Sequence, residues 1–273
     1  MTVTRATVRA AGSADVEPIL AEYCKALRTL PPEESANLLW RPHQEFRAAV
    51  ENGLFFVIED TSRNFMAGAG VFDLANPGEK ELGMCYVKQE WRGYGLQALL
   101  LHVRVCVATL GQMPNKDAGK CTATSYAALI TGLKPANTHS AANTAGLGFK
   151  PLGTPSAALF MACTSCRTPP VQGAGRKCCC DFFALADAQR REVIEKCLQM
   201  ETWSRTKNSH RLVVALKVRH LLDPDCREAL QDAIDELWRD KLRRDDCSPD
   251  RSIAESAEVA LPCPDGGYFP GIS

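Results

Sequence analysis

Gln89, Arg92, Gly93, Gly95 and Gln97, placed directly after the apolar run 82–87, are the residues whose types and spacing point most plainly to chemistry. Two glycines two positions apart let a backbone approach a ligand closely. The apolar stretch 96–107 behind them is long enough for a helix of about three turns. The first amide N–H groups of such a helix have no internal partner, and its macrodipole adds partial positive charge there. A strand, a basic glycine turn and a helix in that order make a cradle for a phosphate. The spacing excludes two familiar nucleotide loops. Gly-x-x-x-x-Gly-Lys-Ser/Thr is absent, and the third glycine of Gly-x-Gly-x-x-Gly is replaced by Ala98.

A second segment, 137–153, carries local signals of its own. Asn137 can cap a short helix by accepting from its free N–H groups, and Gly148 can end it in a left-handed turn. The two segments together, in this order, resemble the coenzyme A signatures of the GCN5-related N-acetyltransferase (GNAT) superfamily. In the first, Val87, Gln89, Arg92, Gly93 and Gly95 fall at matching places. Gln97 stands where a third small residue is usual. In the second, Asn137, Ser140 and Leu147-Gly148-Phe149 keep the family spacing. The resemblance spans about 4–161.

The resemblance implies a fold, a donor and a reaction. The fold is α/β, a mixed, mostly antiparallel sheet flanked by helices. The donor is acetyl-CoA, held by Tyr86, Val87, Arg92, Gly93, Tyr94, Gly95, Leu96, Gln97, Asn137 and Ser140. The reaction is direct attack of a primary amine on the thioester through a tetrahedral intermediate. An ammonium must lose a proton before it attacks, so a general base is expected. Glu81, at the start of the strand, is the expected base, with Glu79 the neighbour to exclude. A backbone N–H at Tyr86 or Val87 would stabilise the oxyanion. Thr144 occupies the place of the tyrosine that often protonates the departing thiolate. Tyr126 and His139 are substitutes to consider, as are water and the thiolate itself. An alternative keeps the fold without the catalysis: a CoA-binding module whose C-terminal extension docks a protein partner.

Composition bounds the rest. With 45% hydrophobic and 23% charged residues the chain has the make-up of a soluble globular protein. Lysine plus arginine equals aspartate plus glutamate at 32 each, so general nucleic-acid binding gains no support. No run of 18 apolar residues exists, and the first nine residues lack the apolar core of a signal peptide. A cytoplasmic protein with no membrane partner is therefore expected. The acceptor is an amine of unspecified class, and a homodimer is left open.

Thirteen cysteines are many for such a protein, yet their odd number does not suit a disulfide framework. Cys24, Cys85, Cys106 and Cys121 read as small buried hydrophobes. Cys163, Cys166, Cys178 and Cys180 leave three readings open: a tetrahedral zinc site, reactive thiols or buried side chains. No metal is assigned.

The elements that must position these residues follow from pattern. Strands are expected at 4–9, 54–58, 64–74, 81–88, 120–127 and 157–164, with a turn at Asn76-Pro77-Gly78. Helices are expected from Ser13 to about Leu30, at 40–52 and over 96–107. Trp40, His43 and Phe46 lie in the helix pair that shapes the acceptor side in the resembled fold. Further on, 187–203 and 224–242 have helical spacing, and periodicity does not decide 212–216. The expected organisation is an acyl-CoA-binding domain at 1–165, a smaller, mainly helical, cysteine-containing extension at 166–243 and a polar, disordered tail at 244–273. The stripes Val193/Leu198 and Ile234/Trp238 should pack that extension onto the first domain.

Overall fold

The computed structural model describes residues 1–35, 37–38, 41–74, 79–110, 128–152 and 180–221. The chain opens with strand β1 (Thr2–Ala10), a 3-10 turn at Ser13–Asp15 and helix α1 (Val16–Thr29). The prolines at 31 and 32 stop α1 and start the short α2 (Pro32–Ser35), because a proline ring fits only the first turn of a helix. Helix α3 (His43–Glu51) follows and ends before Gly53, whose φ of 65° turns the chain into β2 (Phe55–Asp60). Next come β3 (Phe65–Asp73), β4 (Glu79–Val87), α4 (Leu96–Leu110), β5 (Ala128–Leu133), α5 (Thr138–Gly146) and β6 (Phe149–Pro151). The described remainder is β7 (Asp181–Leu185), α6 (Asp187–Gln199), β8 (Thr202–Lys207), β9 (His210–Ala215) and a 3-10 turn at Val218–Leu221.

The nine strands among the described residues form one sheet in the order β6-β7-β5-β4-β3-β2-β1-β9-β8. It is mixed and mostly antiparallel. The pairs β4–β5 and β1–β9 are parallel, and the other six are antiparallel. Up to β6 the described elements follow the order expected from the sequence, with the short α2 added and with β5 starting at Ala128, past the strand expected at 120–127.

The domain boundary expected at 165 is corrected. The sheet does not end there. Strand β7 lies between β5 and β6, where it closes the end of the sheet, and β9 pairs in parallel with β1 at the other end. Three strands of the span expected as a mainly helical extension thus belong to the sheet itself. The reason β7 went unread is its length: five residues, Asp-Phe-Phe-Ala-Leu, show too little alternation to declare a strand. Strand β8 went unread because Thr202–Lys207 is polar and exposed along most of its length. The ambiguous run at 212–216 resolves as β9. Expected elements at 76–78, 120–127, 157–164 and 224–242, with Tyr126 and Ile234/Trp238, lie outside the described residues. So do the tail and all of the cysteine group but the buried Cys180.

The sheet has helices on both faces. On one, α1 and α3 bury Ile19, Tyr23, Phe46 and Val50 against Phe55, Val57 and Phe72. On the other, α4 lies across the strands and α6 covers α4. That double cover explains the composition of α4, apolar nearly all round. A helix with apolar residues on every face must be buried on every face. Val193, Ile194 and Cys197 of α6 are buried on it, and burial of the valine and isoleucine side chains is worth about 1.5–3 kcal/mol each. Packing of the segment after 166 through Val193 and Leu198 is thereby borne out. No helix among the described residues is long and apolar enough to cross a membrane.

Candidate coenzyme-binding cleft

Among the described residues, strands β4 and β5 pair from Glu79↔Ala128 to Glu81↔Ile130. Beyond that pair β5 continues beside β7, and β4 parts from it. A cleft of about 780 Å³ opens along the separated end of β4, lined by Cys85, Tyr86 and Val87, by the loop to α4 and by α5. Leu30, Glu33, Glu34, Asn37 and Leu38 close one side of it.

Two features aim the backbone here. A bulge shifts the β3–β4 register between Gly68 and Gly70, and Met84 sits at φ 46°. Such a residue costs energy, and the hydroxyl of the buried Tyr23 helps to hold it by bonding the Met84 carbonyl. Past the bulge, the Lys88 N–H donates to the Met66 carbonyl at 2.9 Å, toward β3. Successive N–H groups of a strand point to opposite edges, so that of Val87 points toward the cleft.

The loop from Val87 to α4 contains Gly93 at φ 87° and Gly95 at φ 73°, backbone conformations that side chains disfavour. Of the residues expected to bind the coenzyme, Tyr86, Val87, Arg92, Gly93, Gly95, Leu96, Gln97, Asn137 and Ser140 all line the cleft. Tyr94 does not. Its ring is buried, with its hydroxyl 3.1 Å from His210 Nδ1. Asn137 caps α5 as expected, its side chain accepting from the Ser140 N–H at 3.1 Å. Gly148 follows α5 at φ 86°.

Gln97 has a role the sequence did not suggest. Its amide donates to Ser140 Oγ at 2.5 Å and accepts from Asn143 Nδ2 at 2.9 Å. The side chain that replaces a small residue is turned onto α5 and ties it to the head of α4.

Electrostatics divides the cleft. Arg92 meets Glu34 at 2.5 Å, with both side chains about two-fifths exposed (38% and 41%). Burial raises the Tyr86 phenol above its ordinary range and keeps it protonated. Burial also raises the Cys85 thiol, against the pull of the Arg104 charge, and so favours its neutral form.

The structure does not bring Glu81 to this cleft. Its carboxylate is buried in an ion pair with Arg41, whose guanidinium also bonds Glu45 at 3.0 Å and stacks 5.2 Å over Phe72. The strand start that suggested a solvated base is covered by Arg41, just before α3. Thr144 is buried at 3% exposure and does not line the cleft, so it does not take over the missing tyrosine's place. His139 does line it, Phe46 is packed in the core, His43 is half exposed, and Trp40 lies outside the described residues. No cluster of three or more metal-ligating side chains occurs among the described residues.

Sequence reasoning missed the residues behind the loop. Trp203 Nε1 donates to the Tyr94 carbonyl, and Lys207 Nζ donates to the Arg92 carbonyl, each at 2.9 Å. Their signal was the alternation Trp203-x-Arg205-x-Lys207, which puts three long side chains on one face of β8.

No family model and no curated protein matches the chain. Several solved structures resemble it in part. An acetyltransferase of the GNAT family from Staphylococcus aureus is 10% identical, with a TM-score of 0.44 over 66% of this chain and 98% of its own. A ribosomal-protein-alanine N-acetyltransferase from Brucella melitensis is 20% identical, with a TM-score of 0.40 over 65% and 96%. A GNAT-superfamily phosphinothricin acetyltransferase from Sinorhizobium meliloti, solved with acetyl-CoA, is 21% identical, with a TM-score of 0.42 over 67% and 89%.

Proposed function

We propose that the chain is an acyl-CoA-dependent N-acetyltransferase, moving an acetyl group from acetyl-CoA to a primary amine. The observation that carries this reading is one continuous cleft with the glycine loop at one end and the Val87 N–H beside it. The loop residues 92–97 would hold the pyrophosphate on backbone N–H groups at the positive end of α4. Arg92 would exchange Glu34 for phosphate. The pantetheine arm would run between β4 and α5, past Asn137 and Ser140. The thioester carbonyl would then lie at Val87, whose N–H is free to bind the oxyanion. The amine nitrogen attacks the carbonyl carbon, the C–S bond breaks as the tetrahedral intermediate collapses, and the thiolate takes a proton from water or the incoming ammonium. Glu81 contributes as the partner of Arg41 and not as the base, and the amine loses its proton to solvent.

A second reading is favoured by one pair of observations. Glu81 is tied to Arg41, and Thr144, at the sequence place of the usual acid, is buried away from the cleft. This reading is a module that binds CoA without turnover and docks a protein partner. Titration of the full chain with CoA, followed by thiol release from acetyl-CoA with amino acids, polyamines, aminoglycosides and peptides, separates the two. Saturable CoA binding with amine-dependent thiol release supports the enzyme. Binding without release from any amine supports the module, and no CoA binding removes both.

A further inference from the structure

The hairpin of β8 and β9 grips the glycine loop, and none of its residues lines the cleft. Trp203 and Lys207 reach the carbonyls of Tyr94 and Arg92, each at 2.9 Å. A Cβ built on Gly95 would lie 2.8 Å from the Trp203 ring, and one on Gly93 would lie 3.2 Å from the Lys207 side chain. The hairpin also fixes the residues around these carbonyls. The His210 ring packs on Tyr94 and Trp91 at 5.7 and 5.8 Å, and its other nitrogen lies 2.9 Å from Thr4 Oγ1 on β1. The loop is therefore tied through His210 to the sheet.

Peptide geometry turns this grip into an orientation. Every described peptide bond is trans. In a planar trans peptide the C=O and the following N–H point in opposite directions. With the Arg92 carbonyl drawn to Lys207, the Gly93 N–H must point away from the hairpin. With the Tyr94 carbonyl drawn to Trp203, the Gly95 N–H must do the same. Both glycines line the cleft.

We infer that Trp203 and Lys207 are positioning residues for the diphosphate of the coenzyme, setting two peptide planes so that both N–H groups face it. This rests on the acetyl-CoA reading above. The hairpin touches no part of the cleft where the acyl end would lie, so its effect belongs to donors that carry the diphosphate.

The test compares acetyl-CoA with acetylpantetheine, which has the same thioester and no phosphates. Trp203→Phe keeps an aromatic ring and removes the donor. Lys207→Met removes the other donor at an exposed site where folding is not at stake. Trp203→Phe should lower kcat/KM for acetyl-CoA about tenfold, equivalent to about 1.4 kcal/mol. It should act through KM and leave acetylpantetheine within about twofold. Lys207→Met should act in the same sense by a few-fold, and Lys207→Arg, which keeps a donor, should restore the wild-type ratio. Equal losses with both donors, or an unchanged ratio in folded Lys207→Met, would overturn the inference alone. A wild-type chain that treats the two donors alike would remove the acetyl-CoA reading and the inference with it.

Discussion

Gly95→Ala tests the loop more directly than any other single change. Two costs add at this position. An alanine at φ 73° occupies the left-handed region, at about 1–2 kcal/mol. Its Cβ would also lie 2.8 Å from Trp203 Cζ2, and the ring cannot withdraw freely. It is held by its bond to the Tyr94 carbonyl and covered by the Arg205 guanidinium at 4.9 Å. Forcing an extra methyl into packed space costs about 1–3 kcal/mol. The sum is about 2–5 kcal/mol, against the 5–15 kcal/mol typical of a folded chain. Gly53→Ala supplies the control, because Gly53 has a similar φ of 65° and nothing within 4 Å of its added Cβ. It should lose the strain component alone, about 1–2 kcal/mol. Urea unfolding followed by tryptophan fluorescence measures both. Calorimetry with CoA should then show affinity reduced by about tenfold or more in Gly95→Ala, since hydrogen bonds to a charged group are worth about 1.5–3 kcal/mol. Gly53→Ala should bind CoA as the wild type does. Equal losses of stability in the two variants, or full CoA affinity in Gly95→Ala, would refute the packing of Trp203 behind the loop.

Two further outcomes follow from buried charges. Glu81→Gln takes the buried carboxylate from Arg41 and leaves it the half-exposed Glu45, and removing one partner of a buried pair costs up to about 3 kcal/mol. Unfolding should show that loss while the shape of the kcat–pH profile stays unchanged; recovery of turnover at high pH would restore Glu81 as the base. His102 lies nearly two turns into α4, its Nδ1–H donating to the Ala98 carbonyl at 2.8 Å, and burial pulls its imidazole below the ordinary value of 6.5. Its contribution is whole above pH 6.5. It falls as the unfolded chain takes up a proton that the folded chain does not, from 6.5 down to the lowered value. His102→Gln should flatten the stability profile over that interval, and an identical profile in the variant would show that His102 titrates alike in both states.

Local chemistry and spacing carried much of this protein on their own. The glycine turn, the Asn137 cap, the Gly148 stop and the proline break after α1 are decisions of a few neighbouring residues, and each stands where the sequence put it. The strands and long helices up to α4 were equally legible, because long apolar runs declare themselves, whereas β5 at Ala128–Leu133 was not read. Tertiary structure decided what depends on distant partners. Strand β7 is too short to announce itself and becomes a strand only because β5 and β6 offer their edges. Strand β8 is polar, and its partner β9 lends it order. The fate of Glu81 is of the same kind. Alternation can put a carboxylate on a face of a strand, but only the folded chain brings Arg41 to it, 40 positions earlier in sequence, and converts a candidate base into a buried ion pair.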